Sequence, residues 1–174
     1  PILLEAGKLI KKELPEAKFL LPVASTKIIG EVFDLIEDFR PKAIVGQTYE
    51  VLNASDLAIC TSGTINLEAS LLNVPNLMVY KLSPLSWWIG KYILKIGEKL
   101  KYFSMPNILL DQKIIPELIM KEANPKRIAQ EALKILRIRE ENEKMKNALG
   151  QLKSKLGTQG VIKKIAEAIL GAKF

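Results

Sequence analysis

NASDLAICTSGTINLEASLLNVPNLMVYK, residues 53–81, is the stretch around which the chain is organised. Leu57-Ala58-Ile59-Cys60 reads as a short apolar strand and Thr61-Ser62-Gly63-Thr64 as a small polar turn. A helix carrying Ile65, Leu67, Ala69, Leu71 and Leu72 follows, and Pro75 introduces a second strand, Asn76 to Tyr80. A buried parallel strand feeding a Ser/Gly/Thr turn and then a helix places unpaired backbone N–H groups at the C-terminal edge of a sheet. There the helix dipole favours anions and α/β proteins hold phosphates. Glu68 lies four residues after Thr64, on the same helical face. A phosphate site beside a carboxylate suits a nucleoside diphosphate, the carboxylate taking the ribose hydroxyls. The same residues also read as a plain helix start, with Ser62 or Thr64 as cap and Glu68 as a solvated acid. No GxGxxG or GxxxxGK[ST] spacing decides between the two.

Helix and strand patterns alternate on the N-terminal side of this stretch. Ile2, Leu3, Ala6, Leu9, Ile10 and Leu14 recur at helical spacing up to Pro15. Ala17 to Val23 reads as a strand, residues 25–39 as a helix capped by Ser25-Thr26, Lys42 to Val45 as a strand and Tyr49 to Ala54 as a brief helix. This alternation predicts an α/β fold, a parallel sheet with helices on both faces. Such a topology begins with a strand, whereas this chain opens on Pro1 in a helical pattern. The expectation is a piece of a longer protein that lacks the first strand.

On the C-terminal side, Ser83-Pro84 starts a helix whose Leu85, Trp88, Ile89, Tyr92, Ile93, Ile96 and Leu100 form an apolar stripe beside Lys91, Lys95 and Lys99. Trp87 and Trp88 cannot both face a core. Lysine-flanked aromatics suit an interfacial helix on anionic lipid, and a core-facing helix with a solvated face is the competing reading. Residues 104–107 read as a loop leading to apolar Ile108-Leu109-Leu110, and Pro116 to Ile119 as a short helix. Asn107 fits either a turn or a ligand contact. Asn124-Pro125 caps a helix from Arg127 to Arg137, followed by a charged helix with a narrow stripe of Leu149, Leu152 and Leu156. A last amphipathic helix runs from Val161 to Leu170. The expected division is a domain over 1–138 and a helical extension over 139–174.

Composition narrows the chemistry. Of 174 residues, 48% are hydrophobic and 26% charged, which describes a globular domain with a core. One cysteine and no histidine exclude a disulfide framework, a thiol–imidazole pair and the usual zinc sites. Acid–base work would fall to Asp or Glu. Cys60 reads as a small core residue. The net charge of +7 sits mainly in residues 81–101, five basic to one acidic, and in 121–174, thirteen basic to six acidic. The partner is therefore expected to be anionic. Charges without interleaved aromatics argue against nucleic acid. No run is long enough to span a bilayer.

Five ordered motifs carry a resemblance: Ser62-Gly63-Thr64 with Leu67-Glu68; Tyr80-Lys81; Ser83-Pro84; Pro106-Asn107-Ile108-Leu109; and Ile115-Pro116-Glu117-Leu118. Together they resemble the lipid-A-disaccharide synthase family of GT-B glycosyltransferases. The resemblance implies a Rossmann-like three-layer parallel sheet followed by C-terminal helices, the donor-nucleotide half of a two-domain enzyme. That enzyme joins UDP-2,3-diacylglucosamine to 2,3-diacylglucosamine 1-phosphate with inversion and releases UDP. It implies Ser62, Gly63 and Thr64 near the diphosphate, Glu68 on the ribose, and Asn107 and Glu117 near the site. It implies no cofactor, no metal and no catalytic residue in this chain, since the acidic base belongs to the N-terminal half. Trp87, Trp88, Lys91 and Lys95 would meet an anionic membrane surface on the inner face of the cytoplasmic membrane, with a homodimer through the C-terminal helices as a further expected contact. Lys81 stands where the family often has Arg, which keeps charge but loses a bidentate fork. The Gly-Ser-Arg loop of the family has no counterpart here, so weak UDP binding without transfer is expected. Another GT-B enzyme acting on a UDP-sugar, and a non-enzymatic module that binds lipid surfaces or partners, are the alternatives.

Overall fold

The computed structural model describes residues 1–26, 39, 41–61, 63–83, 101–156 and 160–171. The predicted 25–39 helix falls mostly outside these residues. So do nearly all of the basic aromatic helix at 84–101, with Trp87, Trp88, Lys91 and Lys95, and the turn residue Ser62.

Helix α1 (Ile2–Glu13) buries Ala6, Gly7 and Ile10, and Pro15 prevents its continuation. Strands β1 (Leu20–Val23) and β2 (Lys42–Val45) pair in parallel, Leu20 opposite Lys42. After the short helix α2 (Thr48–Asn53) comes β3 (Ala58–Thr61), then α3 (Thr64–Leu71) and β4 (Asn76–Tyr80). Residues 76–79 of β4 are all buried, as befits the central strand of a sheet covered on both faces. Helix α4 (Met105–Leu110) leads to β5 (Glu117–Ile119), and the second sheet runs β3-β4-β5, all parallel. Helices α5 (Pro125–Arg137), α6 (Arg139–Leu149), α7 (Leu152–Lys155) and α8 (Val161–Gly171) complete the chain. Asn124 caps α5 as its sequence predicts, its side chain accepting from Arg127 N–H at 3.0 Å.

The α/β class stands, with parallel strands, helices on both faces and C-terminal helices. Helices α1 and α5 pack together against one face, where Ile10, Leu77, Ile128 and Ile135 form the main core. A smaller cluster of Leu52, Ala58, Cys60, Ala69 and Val74 lies under α2 and α3 on the other. Met145, Leu149 and Leu152 are buried in the main core, with α6 packed on α5 and α7 on α4 and α3, whereas Leu156 is exposed.

Two local readings need correction. Residues 116–119 are not a helix: Glu117–Ile119 pairs with Met78–Tyr80, and Met78 N–H donates to the Pro116 carbonyl at 2.9 Å. A proline opens a strand as readily as a helix, and three residues cannot sustain a helical turn against sheet pairing. Residues 105–110 are not loop and apolar tail but one helix, since Pro106 sits in the first turn where no N–H is needed. Among the described residues the parallel strands lie in two open sheets, β1-β2 and β3-β4-β5, consistent with the Rossmann-like reading.

Candidate functional site

Parallel strands end at one edge, so the C-terminal ends of β3 and β4 lie side by side, Thr61 opposite Val79. The chain leaves β3 through Thr61 and Gly63 and enters α3 at Thr64; Gly63 and Thr64 are both exposed. Gly63 has φ 132° and ψ −162°, a conformation essentially reserved for glycine. Gly63 occupies the cap position and has no side chain with which to satisfy the first N–H groups of α3. These donors lie at the positive end of an eight-residue helix. Of the two sequence readings, capping by Thr64 is thereby removed, because Thr64 is the first helical residue.

Glu68 is half-buried one turn further along α3. Its charge reaches Cys60, whose thiol is pushed up to about 12, first by burial and then by Glu68. Thus Gly63, Thr64 and Glu68 are brought together at the end of β3. Lys81 follows β4 at the same edge and is exposed.

Asn107 and Glu117 form a second cluster. Glu117 opens β5, level with Met78 in the middle of β4, two strand spacings (about 9–10 Å) from β3. Its Oε1 accepts from Ser104 N–H (2.8 Å), Ser104 Oγ (2.7 Å), Asn107 Nδ2 (2.9 Å) and Phe103 N–H (3.1 Å). Asn107 is fully buried; its Oδ1 accepts from Ile114 N–H (2.8 Å) and Ile115 N–H (3.0 Å), and its Nδ2 also donates to Ile115 O (3.0 Å). Both side chains are occupied in fastening residues 103–107 to the sheet.

Sequence reasoning missed a buried polar network behind the turn. Asn66 Nδ2 donates to Asn76 Oδ1 (3.3 Å), Asn76 Nδ2 donates to Ser70 Oγ (3.0 Å), and Ser70 Oγ donates to Asn66 O (2.7 Å). It ties the first turn of α3 to the start of β4. The available signal was two polar residues, Asn66 and Ser70, one turn apart on the same face of the helix. Asn66 Oδ1 is buried without a partner. Among the described residues no group of side chains could hold a metal ion, and no helix is long and apolar enough to cross a membrane.

Comparison with known proteins comes from the whole chain. The profile of the family described as lipid-A-disaccharide synthetase matches residues 1–172. The lipid-A-disaccharide synthase of Nitrosococcus oceani is 37% identical over 169 residues, covering 96% of this chain and 42% of that protein. That of Gloeothece citriformis is 34% identical over 172 residues, covering 98% and 44%. That of Synechocystis is 34% identical over 173 residues, covering 98% and 43%. The chain thus spans less than half the length of these relatives.

Proposed function

The chain belongs to the lipid-A-disaccharide synthase family, and from this premise we propose that it is the donor-nucleotide part of a glycosyltransferase of lipid A biosynthesis. The reaction proposed for the whole protein joins UDP-2,3-diacylglucosamine to 2,3-diacylglucosamine 1-phosphate with inversion and releases UDP. The observation that carries the donor role is the exposed start of α3, where Gly63 holds a glycine-only conformation and leaves the helix N–H groups uncapped. A leaving diphosphate gains charge as the glycosidic bond forms, and fixed N–H donors with a helix dipole stabilise that charge. Thr64, Gly63 and Ser62 would surround the diphosphate, and Lys81 would add a point charge. Glu68, on the same face of α3, would accept hydrogen bonds from the ribose hydroxyls.

The acceptor hydroxyl must lose a proton, and that base would lie in the part of the enzyme outside this chain. Asn107 and Glu117 act, in this reading, by holding residues 103–107 at the end of the basic segment 84–101. Within that segment Trp87, Trp88, Lys91 and Lys95 would seat the enzyme on an anionic membrane surface, where acylated substrates reside. Exposed Ile165, Ile169 and Leu170 on α8 offer an apolar face for a homodimer or for the remainder of the polypeptide.

The test is a UDP titration by calorimetry or NMR, with Glu68→Ala as control. Saturable binding weakened about tenfold by the substitution, the worth of one hydrogen bond to a charged group, is expected. Binding that ignores Glu68→Ala would remove the ribose role. Absence of binding to the full-length protein would remove the donor site altogether.

A further inference from the structure

Helix α3 covers the sheet with a face that is mostly polar. Its buried residues are Asn66, Ala69 and Ser70, one stripe at helical spacing, while Gly63 and Thr64 at its start are exposed. A helix lying on a sheet ordinarily buries an apolar stripe. Here Asn66 Nδ2 donates to Asn76 Oδ1 (3.3 Å), and a second route joins the same two residues through Ser70. Ser70 Oγ donates to Asn66 O (2.7 Å) and accepts from Asn76 Nδ2 (3.0 Å), which also donates to Val74 O (3.0 Å). All three side chains are buried. Among the described residues Asn66 Oδ1 has no partner, a cost that an apolar residue of the same shape would avoid. The apolar contacts under α3 include Ala69, Val74, Ala58 and Cys60. Such contacts are non-directional and resist sliding little, whereas hydrogen bonds fix distance and angle.

We propose that Asn66, Ser70 and Asn76 form a lock that fixes α3 lengthwise against β4, making Asn66 and Ser70 positioning residues for the start of the helix. Asn66 is the third residue of α3, and Asn76 is the first residue of the central strand β4, level with Ala58 of β3. Holding Asn66 there holds the first turn, and with it the uncapped N–H groups, in one register with the sheet. A helix rises about 1.5 Å per residue, so a slip of one residue would displace those donors by about half the length of a hydrogen bond. Glu68 lies between Asn66 and Ser70 on the same helix and moves with them. One lock would therefore set the contacts to a diphosphate and to its ribose together. That ligand rests on the donor-site reading; the lock itself does not. The buried polar stripe is thus retained for position, in a place where apolar residues would serve stability equally well.

The test is the double variant Asn66→Leu/Ser70→Ala of this 174-residue chain, which severs both routes to Asn76. It leaves one buried acceptor unpartnered, as in the parent, since Asn76 Oδ1 takes the place of Asn66 Oδ1 and Asn76 Nδ2 keeps Val74 O. The urea midpoint is therefore expected to stay near that of the parent. In amide hydrogen exchange by NMR, the Glu68 N–H, which closes the first turn of α3, should speed about tenfold. The Met78 N–H, bonded to Pro116 O, should keep its rate. UDP affinity should fall about tenfold in the same samples. Equal speeding at Glu68 and Met78 with a lower midpoint would overturn the proposal, because the network would then serve stability alone. Unchanged exchange at Glu68 would overturn it too, as would unchanged UDP affinity in a variant whose Glu68 amide has loosened. Should the double variant fail to fold, Asn66→Leu and Ser70→Ala, each severing one route, are read by the same criteria at about threefold. A parent chain that does not bind UDP would remove the donor reading alone, and the exchange rates would still decide the lock.

Discussion

Replacing Glu117 by alanine removes the acceptor for four donors: the Phe103 and Ser104 N–H groups, the Ser104 hydroxyl and the Asn107 amide. Hydrogen bonds to a charged acceptor contribute about 1.5–3 kcal/mol each, but at a half-buried site water recovers part of the loss. The expected cost is therefore about 3–5 kcal/mol, well below the sum of four bonds. Glu117→Gln gives a sharper comparison. Oε1 receives bonds from all four donors, whereas Oε2 receives only one from Phe103 N–H, at 3.2 Å. A glutamine with its oxygen at the Oε1 position keeps the acceptor and loses charge, so about 1–2 kcal/mol is expected. Urea unfolding reads both variants as a fall in midpoint at unchanged slope. If Glu117→Ala unfolds within about 1 kcal/mol of the parent while UDP binding drops, the clamp is not structural and Glu117 belongs to a ligand site instead.

Other outcomes follow from the same geometry. Asn107→Asp keeps the acceptor for Ile114 and Ile115 N–H but sets a second oxygen against Glu117 Oε1 and Ile115 O; about 2–4 kcal/mol of destabilisation is expected at pH 7. Its folded-state carboxyl is held above the ordinary range, so stability should recover as pH falls below about 5, read by urea melts across pH. Gly63→Ala meets nothing within 4 Å of the new Cβ, yet φ 132° is closed to alanine; about 1–3 kcal/mol of strain should appear as lower stability or as a displaced turn with weaker UDP binding. Cys60, raised to about 12, should resist alkylation in the native chain at pH 8 and react at once in urea. Because its folded pKa lies above the unfolded one, its contribution is complete below about pH 9. It is then lost at about 1.4 kcal/mol per unit as pH rises toward 12, which pH-dependent melts of the parent and Cys60→Ala would show.

What could be read from the sequence was what local patterning controls. Pro75 and Asn76 followed by the apolar run Leu77-Met78-Val79 mark β4, because a central parallel strand buries both faces and needs no alternation. Gly63 announced itself through turn composition, and its φ is the conformation that only glycine takes at no cost. Helix α4 and strand β5 were misread because six and three residues carry too little periodicity, and both owe their conformation to distant partners. Pro116 looks like a helix start until Met78, thirty-eight residues earlier, offers its N–H.

The candidate site divides along the same line. Gly63, Thr64 and Glu68 are neighbours because four residues of helix make them so, and that adjacency is visible in spacing alone. Asn107 and Glu117 are ten residues apart and meet only because β5 pairs with β4; as isolated letters, Asn107 was equally a turn residue or a ligand, and Glu117 was placed in a short helix. Their saturated hydrogen bonds separate two kinds of polar residue that a shared motif cannot distinguish. Among the described residues the start of α3 at Gly63 carries no side-chain cap, the condition for recognising an anion. The pair at Asn107 and Glu117 directs its hydrogen bonds, four of them to Glu117 Oε1, to residues 103–107 and 114–115, the condition for holding a segment in place. An exposed, uncapped helix start is a chemical capacity, and a satisfied carboxylate is a mechanical one. A substitution at Thr64 or Glu68 that weakens UDP binding should leave stability nearly unchanged. One that weakens it from Asn107 or Glu117 should do so only together with a loss of stability.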